Sequence, residues 1–124
     1  MNTISDDPIN PKHYTQYGYQ AIELISDMGL RDAYYFGSVL KYISRNRLKN
    51  GKEDLQKAMY FLKRRFTTPE CNKAYINKFV TQLPNQEREI MIATFDNRLD
   101  DAIMLLNDFI QNYEKMVNPS YLKN

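Results

Sequence analysis

Apolar residues recur at three- and four-residue intervals along almost the whole chain, and only four glycines and five prolines interrupt them. That spacing matches the 3.6-residue period of a helix, and β alternation is missing from the pattern, so the sequence predicts an all-α protein. With 124 residues, 43% of them apolar, the chain has material for one domain and one core. The expected architecture is a small helical bundle with an extended N-terminal arm, a central basic helical hairpin and a C-terminal helical extension.

The arm occupies residues 1–18, where Asn2, Pro8, Asn10, Pro11 and Gly18 oppose helix formation. A first helix is predicted over 19–28, with Ile22, Ile25 and Met28 on a core-facing side and Gly29 as its stop. A second spans 32–47, capped by Asp32 and striped by Phe36, Val39, Leu40 and Ile43. After a turn at Asn50 and Gly51, a third helix buries Leu55, Ala58, Met59, Leu62 and Phe66, and carries Asp54, Lys57, Phe61 and Arg64 along another side. The short connection makes these two helices an antiparallel hairpin, bringing Lys41 and Arg45 towards Asp54 and Lys57. Thr67 and Thr68 before Pro69 predict the start of a fourth helix running to Leu83. A short fifth helix is expected over 86–95 and a long sixth over 99–117. The sixth carries an apolar stripe able to bury against the hairpin or against a second copy.

The formal charge of +2 hides a strong asymmetry. Residues 31–66 carry ten bases against three acids, whereas both flanks are net acidic. Such concentration suits an anionic partner: nucleotide phosphate, nucleic acid or an acidic protein face; a well-solvated helical surface has the same composition. Ser38, Lys41 and Arg45 follow one another at three- and four-residue spacing, which stacks a hydroxyl and two cations on one helix face. Those cations repel unless an anion lies between them. Gly37, inside the same helix, is explained by close approach of a ligand or by a tight helix crossing.

Several machines are excluded. Asn46 to Glu53 contains Gly51-Lys52 but lacks the first glycine and the hydroxyl of a P-loop, and no dinucleotide-binding glycine pattern occurs. One cysteine, Cys71, and one histidine, His13, cannot make a disulfide or a four-ligand zinc site, and no metal site is expected. The acids Glu87, Glu89, Asp96, Asp100, Asp101 and Asp108 form no Glu-x-x-Glu pair of the kind magnesium-dependent helical hydrolases use. No apolar run reaches membrane-spanning length, and residues 1–11 have no basic-then-apolar leader, so the expected location is the cytoplasm with no membrane partner. His13 and Tyr14 form a pair that either donates to phosphate or fastens the arm to the body. Ten tyrosines and no tryptophan, with Tyr34, Tyr35, Tyr42 and Tyr60 near the basic hairpin, suit either a stacked base or half-buried helix interfaces.

The motifs Pro11-Lys12-His13-Tyr14, Ile22-Glu23, Gly29-Leu30, Phe36-Gly37, Lys41-Tyr42, Arg45, Lys49, Asp54-Leu55, Lys57-Ala58 and Leu62, taken in order, resemble a bacteriophage family. It is a domain-of-unknown-function family often called nucleotide kinase-like or SaV-like, similar to the C-terminal part of a coliphage nucleoside monophosphate kinase. The resemblance covers residues 8–65 and leaves 66–124 as an extension. It implies a phage protein acting in the cytoplasm of an infected bacterium, with a nucleotide held by His13, Tyr14, Gly37, Ser38, Lys41, Tyr42, Arg45, Lys49, Asp54 and Lys57. If the protein is a kinase, Lys41 and Arg45 neutralise the transferred phosphoryl group, Asp54 holds magnesium or orients Lys57, and Mg and ATP are the cofactors. The alternative is a non-catalytic homo-oligomer that sequesters a nucleotide or nucleotide-derived signal, or docks on a host protein, to counter defence or redirect replication. Nucleic acid ranks behind both. Ser38 and Phe61 depart from the asparagine and tyrosine common in the family.

Overall fold

The computed structural model describes residues 21–118, and among them the protein is all-α, with seven α-helices and one short 3-10 turn. The helices are α1 (Ala21–Asp27), α2 (Arg31–Arg45), α3 (Lys52–Leu62), α4 (Lys73–Val80), α5 (Asn85–Phe95), α6 (Leu99–Gln111) and α7 (Tyr113–Val117); the 3-10 turn is Asn46–Leu48. The arm, including His13 and Tyr14, lies outside the described residues.

Two helical hairpins make the body. In the first, α2 packs on α3; in the second, α5 packs on α6; α3 also meets α6 and α2 also meets α5. This closes a ring of four helices around Val39, Ile43, Leu55, Leu62, Ile90, Met91, Leu106 and Phe109, all essentially removed from water. Because α3 is covered by α2 on one side and α6 on the other, seven of its eleven residues are buried. A single apolar stripe underestimates that width, which is why Asp54 and Phe61, expected on another side, are buried with the core.

Other differences are local. The first helix is Ala21–Asp27 and buries no residue, so it is not a core helix; Ile22 alone of its apolar side packs on the core margin. Gly29, at φ 76°, does end it. The second helix begins at Arg31 with Leu30 as N-cap, and Asp32 instead accepts from the Thr67 backbone N–H. Thr68 caps no helix: its hydroxyl donates to the Thr94 carbonyl at 2.7 Å and its N–H donates to Asn97 Oδ1 at 2.8 Å. The stretch 67–72 is therefore a strap tied to the α5–α6 corner, and Asn72 supplies the cap of α4 by accepting from the Ala74 N–H. The long last helix is broken at Asn112, which separates α6 from α7.

Candidate functional site: a cationic and aromatic face on the basic hairpin

The site grows from the turn between α2 and α3. The Asn46 carbonyl accepts from the Gly51 N–H at 2.8 Å, closing the loop, and Gly51 takes φ 56° to enter α3. Arg45, the last residue of α2, and Asp54, in the first turn of α3, are thereby set face to face. The Arg45 guanidinium donates to both carboxylate oxygens of Asp54, Nε to Oδ2 at 3.3 Å and Nη2 to Oδ1 at 3.2 Å. The Asn50 N–H donates to the same Oδ2 at 3.2 Å. The bond to Asp54 holds the Arg45 guanidinium above its ordinary pKa, with burial opposing it.

One turn earlier, Tyr42 gathers cations. The Lys41 ammonium lies 4.6 Å from the Tyr42 ring centroid, the Arg45 guanidinium 5.0 Å and the Lys57 ammonium 5.7 Å. The ring is stacked on Phe61 at 6.3 Å and 9°. Phe61 is buried and also meets the rings of Tyr34, Tyr35 and Tyr60. The ring quadrupole attracts each cation, but three positive groups around one ring also repel one another. Asp54 neutralises Arg45 alone; among the described residues no carboxylate lies within salt-bridge distance of Lys41 or Lys57.

Of the residues expected to bind a nucleotide, the structure thus brings together Lys41, Tyr42, Arg45, Asp54 and Lys57. Ser38 is buried and does not sit on the open face with Lys41. Gly37 is exposed, and beyond its chain neighbours and its own helix backbone a Cβ there would meet nothing within 4 Å, so the tight helix crossing is not found there. Lys49 is exposed at the end of the 3-10 turn, and it is not among the cations over the Tyr42 ring, which are Lys41, Arg45 and Lys57. Asp54 is fully buried and its oxygens accept from Arg45 and the Asn50 N–H, so in this structure it holds Arg45. Among the described residues no cluster of three or more His, Cys, Asp or Glu could hold a metal ion.

A second polar assembly backs the turn and was not legible in advance. Asn46, 1% exposed, donates from Nδ2 to the Ile43 carbonyl at 2.7 Å and to Glu87 Oε2 at 2.8 Å. Its Oδ1 accepts from the Tyr113 hydroxyl at 2.8 Å. Glu87 also takes both prongs of Arg47, at 2.8 and 3.1 Å. These partners are 40 to 67 residues apart in sequence, and nothing local marks Glu87 as buried.

The fold and site together define an all-α protein that presents an incompletely neutralised cationic and aromatic face on one helical hairpin. Residues 9–63 match the model of a family of proteins of unknown function, DUF3310. That range contains the whole Tyr42 cluster and ends at Lys63, the C-cap of α3, so α4 to α7 lie beyond it. The match agrees with the resemblance as far as a domain of unknown function goes, and it names no activity. No curated protein and no solved structure matches the chain.

Proposed function

We propose that the protein binds the phosphate of a nucleotide at the face where Lys41, Lys57 and Arg45 surround Tyr42. The observation that carries this reading is the pair of ammonium groups drawn to one ring without a carboxylate in reach. A phosphate supplies the missing negative charge and accepts several charge-assisted hydrogen bonds at once. Tyr34 and Tyr42, each partly exposed against buried Phe61, offer apolar surface beside it for a base or sugar.

Capture is favoured over turnover. Phosphoryl transfer needs a group that orients or deprotonates the attacking oxygen, and the one carboxylate at the described cluster, Asp54, has its oxygens committed to Arg45 and the Asn50 N–H. In the setting the resemblance implies, an infected bacterial cell, such a protein withdraws a nucleotide or nucleotide-derived signal from host defence or replication. Native mass spectrometry with a pool of deoxynucleoside monophosphates, ATP and magnesium tests the reading and reports self-association in the same spectrum. Intact nucleotide retained by the wild type and lost in Lys41→Ala and Lys57→Ala is the expected result. Diphosphate products would replace capture with kinase activity, and failure to retain any nucleotide would remove the site.

A further inference from the structure

The turn that carries Arg45 and Asp54 is held from outside the domain match. Asn46 follows Arg45 directly, and its backbone carbonyl closes the 46–51 loop on the Gly51 N–H. The loop then delivers the Asn50 N–H to Asp54, which grips Arg45. The Asn46 side chain is fixed on both ends by the C-terminal extension: Glu87 of α5 accepts from its amide and the Tyr113 hydroxyl of α7 donates to its carbonyl. That hydroxyl also lies where a Gly51 Cβ would meet it at 3.4 Å, so Tyr113 touches the loop at both of its ends.

We infer that Glu87 and Tyr113 are positioning residues for the anion site, setting the geometry of Arg45 and Asp54 through Asn46. As a statement about ligand affinity this rests on the phosphate reading; as a statement about Arg45 geometry it does not. Buried polar networks with every member satisfied specify one arrangement, and loss of a member lets the rest re-pair. Removing the Tyr113 hydroxyl leaves the Asn46 carbonyl seeking another donor, which releases the loop on the side facing Asp54.

The test compares wild type, Tyr113→Phe and Thr68→Val at a temperature where all are folded. Thr68→Val deletes another buried hydroxyl bond, to the Thr94 carbonyl, away from the hairpin turn. Inorganic pyrophosphate is the probe for calorimetry, and the Arg45 Nε–H resonance reports its bond to Asp54. Tyr113→Phe should weaken pyrophosphate about fivefold, a modest coupling between sites, and shift the Arg45 resonance, while Thr68→Val changes neither. Wild-type affinity together with an unmoved resonance in Tyr113→Phe overturns the inference, as does an equal change in Thr68→Val. If wild type does not bind pyrophosphate, the phosphate reading fails and the resonance alone decides the positioning role: a shift confined to Tyr113→Phe supports it, coincidence with wild type overturns it. Should Tyr113→Phe not fold, Glu87→Met, which removes the Glu87 acceptor of the Asn46 amide while that amide keeps its bond to the Ile43 carbonyl, takes its place under the same criteria.

Discussion

Lys41 and Arg45 stand one turn apart on the same helix, yet their surroundings give them opposite duties. Their spacing and their approach to Asp54 and Lys57 were legible, because i, i+4 geometry and a short helix connection leave little freedom. The burial of Asp54 was not, because an acid in the first turn of a helix is ordinarily solvated and favoured there by the helix dipole. That burial separates what alanine does at the two positions. Arg45→Ala strands a fully buried carboxylate with one backbone N–H for company. Breaking a buried pair this way costs about 3 kcal/mol, the lower end of the range because the Arg45 side chain is itself one-third exposed. Lys41→Ala removes no carboxylate partner and should change stability by less than about 0.5 kcal/mol. Urea unfolding at neutral pH separates the two; equal midpoints would mean that the Arg45–Asp54 pair contributes nothing.

Among the elements, α2 and α3 were the most legible because their stripes are strong and Gly29 and Gly51 mark their limits. The α4 start and the α6–α7 break were not, for reasons outside the local sequence. Thr68 spends its hydroxyl on the Thr94 carbonyl, so Asn72 caps α4 in its place. Tyr113 turns in to reach Asn46 beyond the α6–α7 break, and periodicity cannot see an acceptor 67 residues away. The same docking has a pH signature. Burial raises the Tyr113 phenol above its ordinary value, so the unfolded phenol ionises first as pH rises. Its contribution is complete below about pH 10 and is lost as pH climbs through the folded value. Urea midpoints across the alkaline range should therefore fall more steeply in wild type than in Tyr113→Phe; parallel profiles would place the phenol in water. The two hairpin glycines differ in the same physical terms. Gly51→Ala forces φ 56° and contact with Tyr113 on a side chain, costing about 1–3 kcal/mol. Gly37→Ala sits mid-helix with open space around it and should gain roughly 1 kcal/mol. Thermal melts of the pair check both signs, and a loss of nucleotide binding in the more stable Gly37→Ala would show that the ligand uses that space.

At the scale of the whole molecule, the excess positive charge of residues 31–66 divides by residue type. Every arginine there is engaged within the protein: Arg31 with Asp32 and the Arg64 and Arg65 carbonyls, Arg45 with Asp54, Arg47 with Glu87, Arg64 with the Tyr60 carbonyl and Arg65 with Asp100. Two of those acids come from the C-terminal flank, so the acidic flank seen in the sequence is partly folded back onto the basic hairpin. The lysines of the same stretch make no salt bridge among the described residues. Planar, multiply donating guanidinium suits fixed internal acceptors, and a lysine ammonium on a flexible stem suits a ligand that comes and goes. Stability and binding should therefore separate along that line. Arg47→Ala leaves Glu87 buried with Asn46 alone and should cost about 3 kcal/mol. Lys41→Ala combined with Lys57→Ala relieves repulsion while giving up two partly exposed cation–π contacts of about 0.5–1 kcal/mol each, so the urea midpoint should barely move. The same double variant should lose the rise in melting temperature that a saturating nucleotide gives the wild type, since that rise scales with ligand concentration over Kd. A double variant that unfolds as readily as Arg47→Ala would assign these lysines to the scaffold, and the charge left over for a ligand would have to be sought elsewhere on the hairpin.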